Sequence, residues 1–129
     1  MKILENLKYT ESNEWINVEG KTATIGISDY AQDQLSDIVF AEIIVNEGDS
    51  VKKGETIATI ESVKAAADVY SPVSGKITGI NESLGSAPEV INSDPYGAAW
   101  IIKLELSDPS ELDALLDNTA YEKQIQSQQ

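Results

Sequence analysis

Short runs of alternating apolar and polar residues, each closed by a turn former, narrow the folds open to this chain more than any other feature. In Glu14-Trp15-Ile16-Asn17-Val18 and Thr22-Ala23-Thr24-Ile25-Gly26-Ile27 the alternation has period two. Such a period puts apolar side chains on one face of a strand and polar ones on the other. The Glu19-Gly20-Lys21 link supplies a residue that accepts a positive φ, as tight hairpins require. The run Ile38 to Val45 reads as a mostly buried strand. Glu55 to Ile60 and Val69-Tyr70 with Val73 read as a further pair, and Gly75 to Ile80 and Ala99 to Leu106 as later strands. Many short strands separated by glycine turns predict a mainly β chain, an antiparallel sandwich or flattened barrel. Asn81 to Gly97 is turn-rich.

Helices trim this sheet. Ser28 is placed to cap a short helix from Asp29 to Leu35, and Asp108-Pro109-Ser110-Glu111 has the N-cap acid, proline and following glutamate of a helix that runs through Leu116. Thr119-Ala120-Tyr121-Glu122 repeats the capping pattern. A single domain is expected, with its core over about 7–107, a helical segment over about 108–125 and a frayed tail over 126–129.

Between two of the predicted strands lies Glu61-Ser62-Val63-Lys64-Ala65-Ala66-Ala67-Asp68. The pairing of the flanking runs puts Lys64 at a hairpin tip, among side chains too small to obstruct it. Val63-Lys64 is a poor turn by hairpin preference, and departures from local preference concentrate at functional sites.

Composition then limits what the lysine can do. All nine basic residues are lysines against 22 acids, so 9 − 22 gives a net charge of −13, and the chain has no His and no Cys. Nucleic acid and anionic membranes, which are bound through clustered cations, are excluded as partners, and basic protein surfaces are favoured. The usual general base, thiolate nucleophile and zinc ligands are missing, so neither a catalytic residue nor a metal site is expected. No apolar stretch approaches the roughly 20 residues of a membrane span, and Met1-Lys2-Ile3-Leu4-Glu5 lacks a signal or transit pattern. A cytoplasmic location is expected.

A lysine can serve as an amine nucleophile, a phosphate ligand or an acceptor of acyl modification. Nucleophilic use needs burial or a neighbouring cation to lower the amine's pKa, and an exposed tip beside Glu61 and Asp68 offers neither. Phosphate binding needs glycine amides at a helix start. Acyl modification needs only that an enzyme reach the amine on a protruding loop. A covalent arm can then carry chemistry that the chain itself lacks.

The stretch Glu61-Ser62-Val63-Lys64-Ala65-Ala66-Ala67-Asp68-Val69-Tyr70-Ser71-Pro72-Val73-Ser74-Gly75 resembles the lipoyl attachment region of the glycine cleavage H-protein family. The likeness extends along nearly the whole chain. Leu7-Lys8-Tyr9-Thr10 with Glu14-Trp15, Ala23 to Gln32, Asp37-Ile38-Val39-Phe40, and Asn92-Ser93-Asp94-Pro95-Tyr96-Gly97 with Trp100 follow in the family's order and spacing. The lysine hairpin alone is shared with lipoyl domains of 2-oxoacid dehydrogenases and with biotin carriers, so the remote motifs carry the specificity.

The resemblance implies a lipoyl-domain (hybrid barrel) fold and a non-catalytic carrier with lipoate amide-linked to Lys64. Such a carrier shuttles an aminomethyl group and reducing equivalents. It implies as partners a pyridoxal-phosphate glycine decarboxylase, a tetrahydrofolate-dependent aminomethyltransferase, dihydrolipoamide dehydrogenase and a lipoyl ligase or transferase. Glu61, Ser62, Val63, Ala65 and Asp68 would be read by the attaching enzyme. Ser12, Glu14 and Asp68 occupy the positions of a cleft that shelters the loaded arm. Three departures stand out: Asn13 where the family usually has His, Ser36 where Gly is usual, and Ala67 where Ser is common. The nearest alternative is an H-like protein that relays lipoyl groups to 2-oxoacid dehydrogenases or another lipoate-dependent pathway.

Overall fold

The computed structural model describes residues 2–128. Two antiparallel sheets enclose the main core. Strands β1 (Lys8–Tyr9), β2 (Glu14–Glu19), β3 (Thr22–Ile27) and helix α1 (Asp29–Leu35) lead into β4 (Ile38–Ile43) and β5 (Ser50–Val51). Then come β6 (Thr56–Ser62), β7 (Ala66–Tyr70), β8 (Gly75–Ile80), helices α2 (Ser83–Ser86) and α3 (Val90–Ser93), and β9 (Ile102–Leu106). A 3₁₀ turn over Pro109–Ala114 and helix α4 (Asn118–Gln128) complete the order. The six-stranded sheet runs β1-β2-β3-β9-β8-β5 and the three-stranded sheet β4-β6-β7.

The strand alternation produces this layering directly. Ile16, Ala23 and Ile25 from the larger sheet meet Ile57, Ile60 and Val69 from the smaller one in a single buried cluster. Gly20 sits at φ +63, as the β2–β3 hairpin needs. Gly26 leaves room for its cross-strand partner Trp15, whose ring would lie 2.7 Å from an added Cβ. A second cluster, formed by Leu7, Tyr9, Trp15, Tyr30, Tyr121 and Ile125, joins the larger sheet to α1 and α4. Tyr9 and Tyr121 stack there with ring centroids 4.3 Å apart.

Several elements differ from the sequence reading. The run from Ile38 is not mostly buried: β4 is an edge strand, a bulge between Ile38 and Phe40 turns Val39 and Phe40 to solvent at 57% and 42% exposure, and the strand stops at Ile43. The last strand begins at Ile102 rather than Ala99. The preceding stretch is held irregular by Asn81, whose Nδ2 donates to the carbonyls of Ala98 and Trp100 at 2.9 and 2.7 Å. The turn-rich segment contains α2 and α3.

Near the C-terminus the predicted helix through Leu116 is a 3₁₀ turn that ends at Ala114. Asp108 caps it as expected, but Glu111 turns away from its own backbone and accepts from Ser74 N and Oγ at 2.7 and 2.9 Å. Leu116 instead pairs with Tyr9 through two backbone hydrogen bonds of 2.8 Å, which require an extended chain. Asp117, rather than Thr119, caps α4 by accepting from Ala120 N at 2.8 Å. The tail expected to fray from 126 onward is helical through Gln128, because Tyr121 and Ile125 are anchored in the aromatic cluster; position 129 lies outside the described residues. No helix among the described residues is long and apolar enough to cross a membrane.

Candidate functional site

Lys64 is exposed at the apex of the β6–β7 hairpin, where Glu61 pairs with Ala66. The turn uses no positive φ at Val63 or Lys64. Ser62 closes it instead. Its backbone N–H donates to Ala65 O at 2.7 Å, and its hydroxyl donates to the same carbonyl and accepts from Lys64 N and Ala65 N at 3.3 and 3.1 Å. A serine hydroxyl that substitutes for backbone partners explains how an unfavourable pair turns the chain. A second hold comes from outside the hairpin, where Val63 N donates to Asp37 O at 3.0 Å. The apex is therefore fixed while the Lys64 ammonium, among the described residues, forms no hydrogen bond. Val63, 67% exposed, and Ala65 flank it.

The residue before that tether is Ser36, at φ 67 and ψ −152. This region of backbone space is essentially restricted to glycine. Asn92 braces it from α3: its Nδ2 donates to Ser36 O at 2.9 Å and to Gln32 Oε1 at 3.0 Å, while its Oδ1 accepts from Ile38 N at 2.8 Å.

Ser12, Glu14 and Asp68 line one cavity of about 190 Å³, together with Asn13, Ala67 and the apolar side chains of Ile27, Leu35 and Ile60. Asp68 stands at its exposed edge and accepts from Thr59 Oγ1 at 3.4 Å. Glu14 is 2% exposed. Its Oε1 accepts from Ser12 Oγ at 2.7 Å and Thr10 Oγ1 at 2.5 Å, and its Oε2 accepts from Tyr70 N at 3.2 Å. The buried carboxylate is thus satisfied by two hydroxyls and an amide, and among the described residues no hydrogen bond joins it to a cationic side chain. On its other side Glu14 and Ser12 also wall a larger cavity of about 520 Å³ that includes Lys53, Tyr70 and Leu115.

Sequence reasoning missed Thr10, which both donates to the Glu14 carboxylate and accepts from Glu14 N at 3.0 Å. Its traces were the Thr-x-x-x-Glu spacing across a turn and its place in the Leu7-Lys8-Tyr9-Thr10 motif, neither of which assigned it a role. Tyr121 was missed as well. Its hydroxyl reaches Asn13 Oδ1 at 2.9 Å and Ser28 Oγ at 2.6 Å, and burial pushes its pKa up to about 12. Burial also raises Tyr9 and Tyr96. Trp15 and Tyr96 belong to the packing, with Trp15 Nε1 donating to Pro95 O at 2.9 Å.

Asp68 lies within about 14 Å of Lys64 along the chain, so the cavity lined by Ser12, Glu14 and Asp68 sits close to an unobstructed primary amine. These residues fit a lipoyl arm. The glycine cleavage H-protein profile matches residues 7–128. This chain belongs to that family.

The glycine cleavage system H protein of Clostridium botulinum is 58% identical over 123 residues, covering 95% of this chain and 93% of the relative. That of Thermotoga maritima is 53% identical over 116 residues, covering 90% and 93%. Among solved structures, the glycine cleavage system H protein of Mycobacterium marinum superposes with a TM-score of 0.87 at 30% identity, covering 96% of this chain and 99% of that one. Family members are lipoyl carriers and a component of the glycine cleavage system, so the chain is a carrier of that system, and the relay reading is not favoured.

Proposed function

We propose that Lys64 is the covalent attachment point of the lipoyl group and that Ser12, Glu14 and Asp68 receive the loaded end of the arm. The observation that carries this reading is the apex itself: the turn is closed by Ser62 and tethered to Asp37, yet the Lys64 amine is left exposed and unengaged. A fixed loop with a free amine suits a modifying enzyme, and Glu61, Ser62, Val63, Ala65 and Asp68 form the surface it would read.

When bound, a lipoyl group supplies a disulfide that takes up reducing equivalents and a sulfur that carries an aminomethyl cargo. The chain's own residues do the rest. Lys64 Nζ forms the amide. Ala65, Ala66 and Ala67 leave the path along β7 open. Glu14 presents a charge already oriented by Thr10 and Ser12, and Asp68 adds a second charge at the rim, so a cationic amine is held by charge-assisted hydrogen bonds. Ile27, Leu35 and Ile60 limit water in the same cavity. The partners of such a carrier are a pyridoxal-phosphate glycine decarboxylase, a tetrahydrofolate-dependent aminomethyltransferase, dihydrolipoamide dehydrogenase and a lipoyl ligase or transferase. The net charge of −13 favours basic docking faces on each.

Intact-mass spectrometry of the chain expressed with lipoate and a lipoyl ligase tests the reading. One lipoyl adduct, mapped to Lys64 and lost in Lys64→Arg, is expected, together with glycine–bicarbonate exchange when glycine decarboxylase is added. An adduct mapped to another lysine, or no exchange by the modified protein, would overturn it.

A further inference from the structure

Helix α4 lies at the end of the chain and is largely polar, yet two of its side chains reach the turn that carries the cleft residues. Gln124 Nε2 donates to Glu11 O at 3.1 Å, and Tyr121 OH donates to Asn13 Oδ1 at 2.9 Å. These contacts cross more than a hundred positions of sequence to bracket Ser12. Asn13 sits at φ 73, a left-handed conformation that asparagine tolerates better than most residues but that the surroundings must hold. Its carbonyl accepts from Ser28 N at 2.9 Å, and its N–H donates to Thr10 O at 3.1 Å.

The protons can be assigned by counting. Ser28 Oγ accepts from Ala31 N at 3.1 Å and lies 2.6 Å from Tyr121 OH. Tyr121 has one proton and gives it to Asn13, so Ser28 gives its own to Tyr121. A directed chain thus runs from the start of α1 through Tyr121 to Asn13, and among the described residues no buried side-chain polar atom in it lacks a partner. Ser28 and Tyr121 are fully buried, and the Tyr121 ring is fixed by its stack on Tyr9, which directly precedes Thr10. Asn13 lines the same cavity as Ser12, Glu14 and Asp68.

We propose that Tyr121 and Gln124 are positioning residues for the arm cleft, by which the C-terminal helix holds the Thr10–Glu14 turn in the geometry that receives a cationic amine. The proposal rests on the reading of Ser12, Glu14 and Asp68 as that cleft and extends its machinery to the last helix of the chain. Tyr121→Phe keeps the ring and its stack but removes the proton to Asn13. Gln124→Ala removes the second hold.

The full-length chain is tested in two ways. Amide hydrogen exchange is read at Glu14, whose N–H donates to Thr10 Oγ1, and ammonia release is read from lipoylated carrier loaded by glycine decarboxylase and then isolated. Tyr121→Phe is expected to speed both by about fivefold, the weight of one neutral hydrogen bond, while amides of β8 and β9 exchange as before. Gln124→Ala gives about twofold. In an Asn13→Gly background, which keeps the backbone conformation accessible but deletes the acceptor, Tyr121→Phe adds little to ammonia release. Unchanged exchange and release in Tyr121→Phe, even with a lowered melting temperature, overturns the proposal, as does full additivity with Asn13→Gly. Wild-type carrier that the decarboxylase leaves unloaded overturns the cleft reading itself, and the positioning role with it.

Discussion

The hairpin apex and the cleft share one strand pair, with Ala67 and Asp68 of the cleft one and two pairs below the apex pair of Glu61 and Ala66, yet they are built on different plans. At the apex, four successive residues from Ser62 to Ala65 make the turn among themselves, and one outside contact, from Asp37 O, anchors it. At the cleft, a single buried carboxylate is held by Thr10, Ser12 and the amide of Tyr70, with Asn13 held in turn by Ser28 and Tyr121. On the proposed reading, an amine that a modifying enzyme must reach needs a stiff local loop with nothing in front of it. By the same reading, a group that receives a cation out of water needs a prearranged charge, and here the local Thr10–Glu14 turn supplies it together with distant residues such as Tyr70, Ser28 and Tyr121.

Glu14→Ala is expected to have the largest effect on this contrast. The substitution leaves two hydroxyls and the Tyr70 amide without their acceptor in a site only 2% exposed. The expected loss is about 2–3 kcal/mol in urea unfolding, with a melting temperature lowered by roughly 10 °C. Lipoylation of Lys64 in the folded variant should proceed at the wild-type rate, because no bond of the apex depends on Glu14. A stability change under about 0.5 kcal/mol, or slowed lipoylation, would show that the two regions are not organised separately.

The same contrast explains what could be read without coordinates. Lys64 among alanines, the β2–β3 strand pair and the Ser28 cap are all local patterns, and the structure has each where the pattern puts it, although Glu14, Trp15 and Ile16 are buried in succession because both faces of that end of the sheet are covered. The features that escaped depend on contacts across the chain. Glu111 looked like a capping glutamate because its spacing was right, but Ser74 offered two donors from another part of the fold. Ile125 in a polar tail gave no helical stripe, although its burial against the Leu7 and Tyr9 cluster keeps the last helix ordered. The edge position of β4, which exposes Val39 and Phe40, follows from sheet order and is invisible to hydrophobicity. Thr10 and Tyr121, the two supports of the cleft that were missed, are polar residues whose roles appear only when their partners are in place.

Ser36→Gly probes the anchor of the apex and should move stability the other way. A non-glycine residue at φ 67 and ψ −152 costs on the order of 1–3 kcal/mol, part of which glycine gives back through the greater freedom of the unfolded chain. A net gain of about 1 kcal/mol, or roughly 3–5 °C in melting temperature, is expected, with lipoylation unchanged. Loss of stability instead would mean that the Ser36 side chain contributes something that the bracing by Asn92 does not account for.

Ser62→Ala should have the smallest effect on stability and the most selective effect on function. The hydroxyl makes three contacts within the turn, but the backbone bond from Ser62 N to Ala65 O at 2.7 Å survives the substitution, and water can replace the hydroxyl at this surface position. The expected loss is about 0.5–1 kcal/mol. A loosened apex spends less time in the conformation that the modifying enzyme reads, so the rate of lipoyl attachment, followed by intact mass over time, should fall by up to about two- to fivefold, the equivalent of that free energy. Ammonia release from carrier that has been fully modified should be unchanged, because the cleft shares no bond with this turn. Should Ser62→Ala alter release while sparing attachment, the apex and the cleft would have to be treated as one coupled unit rather than as a locally coded loop beside a non-locally assembled pocket.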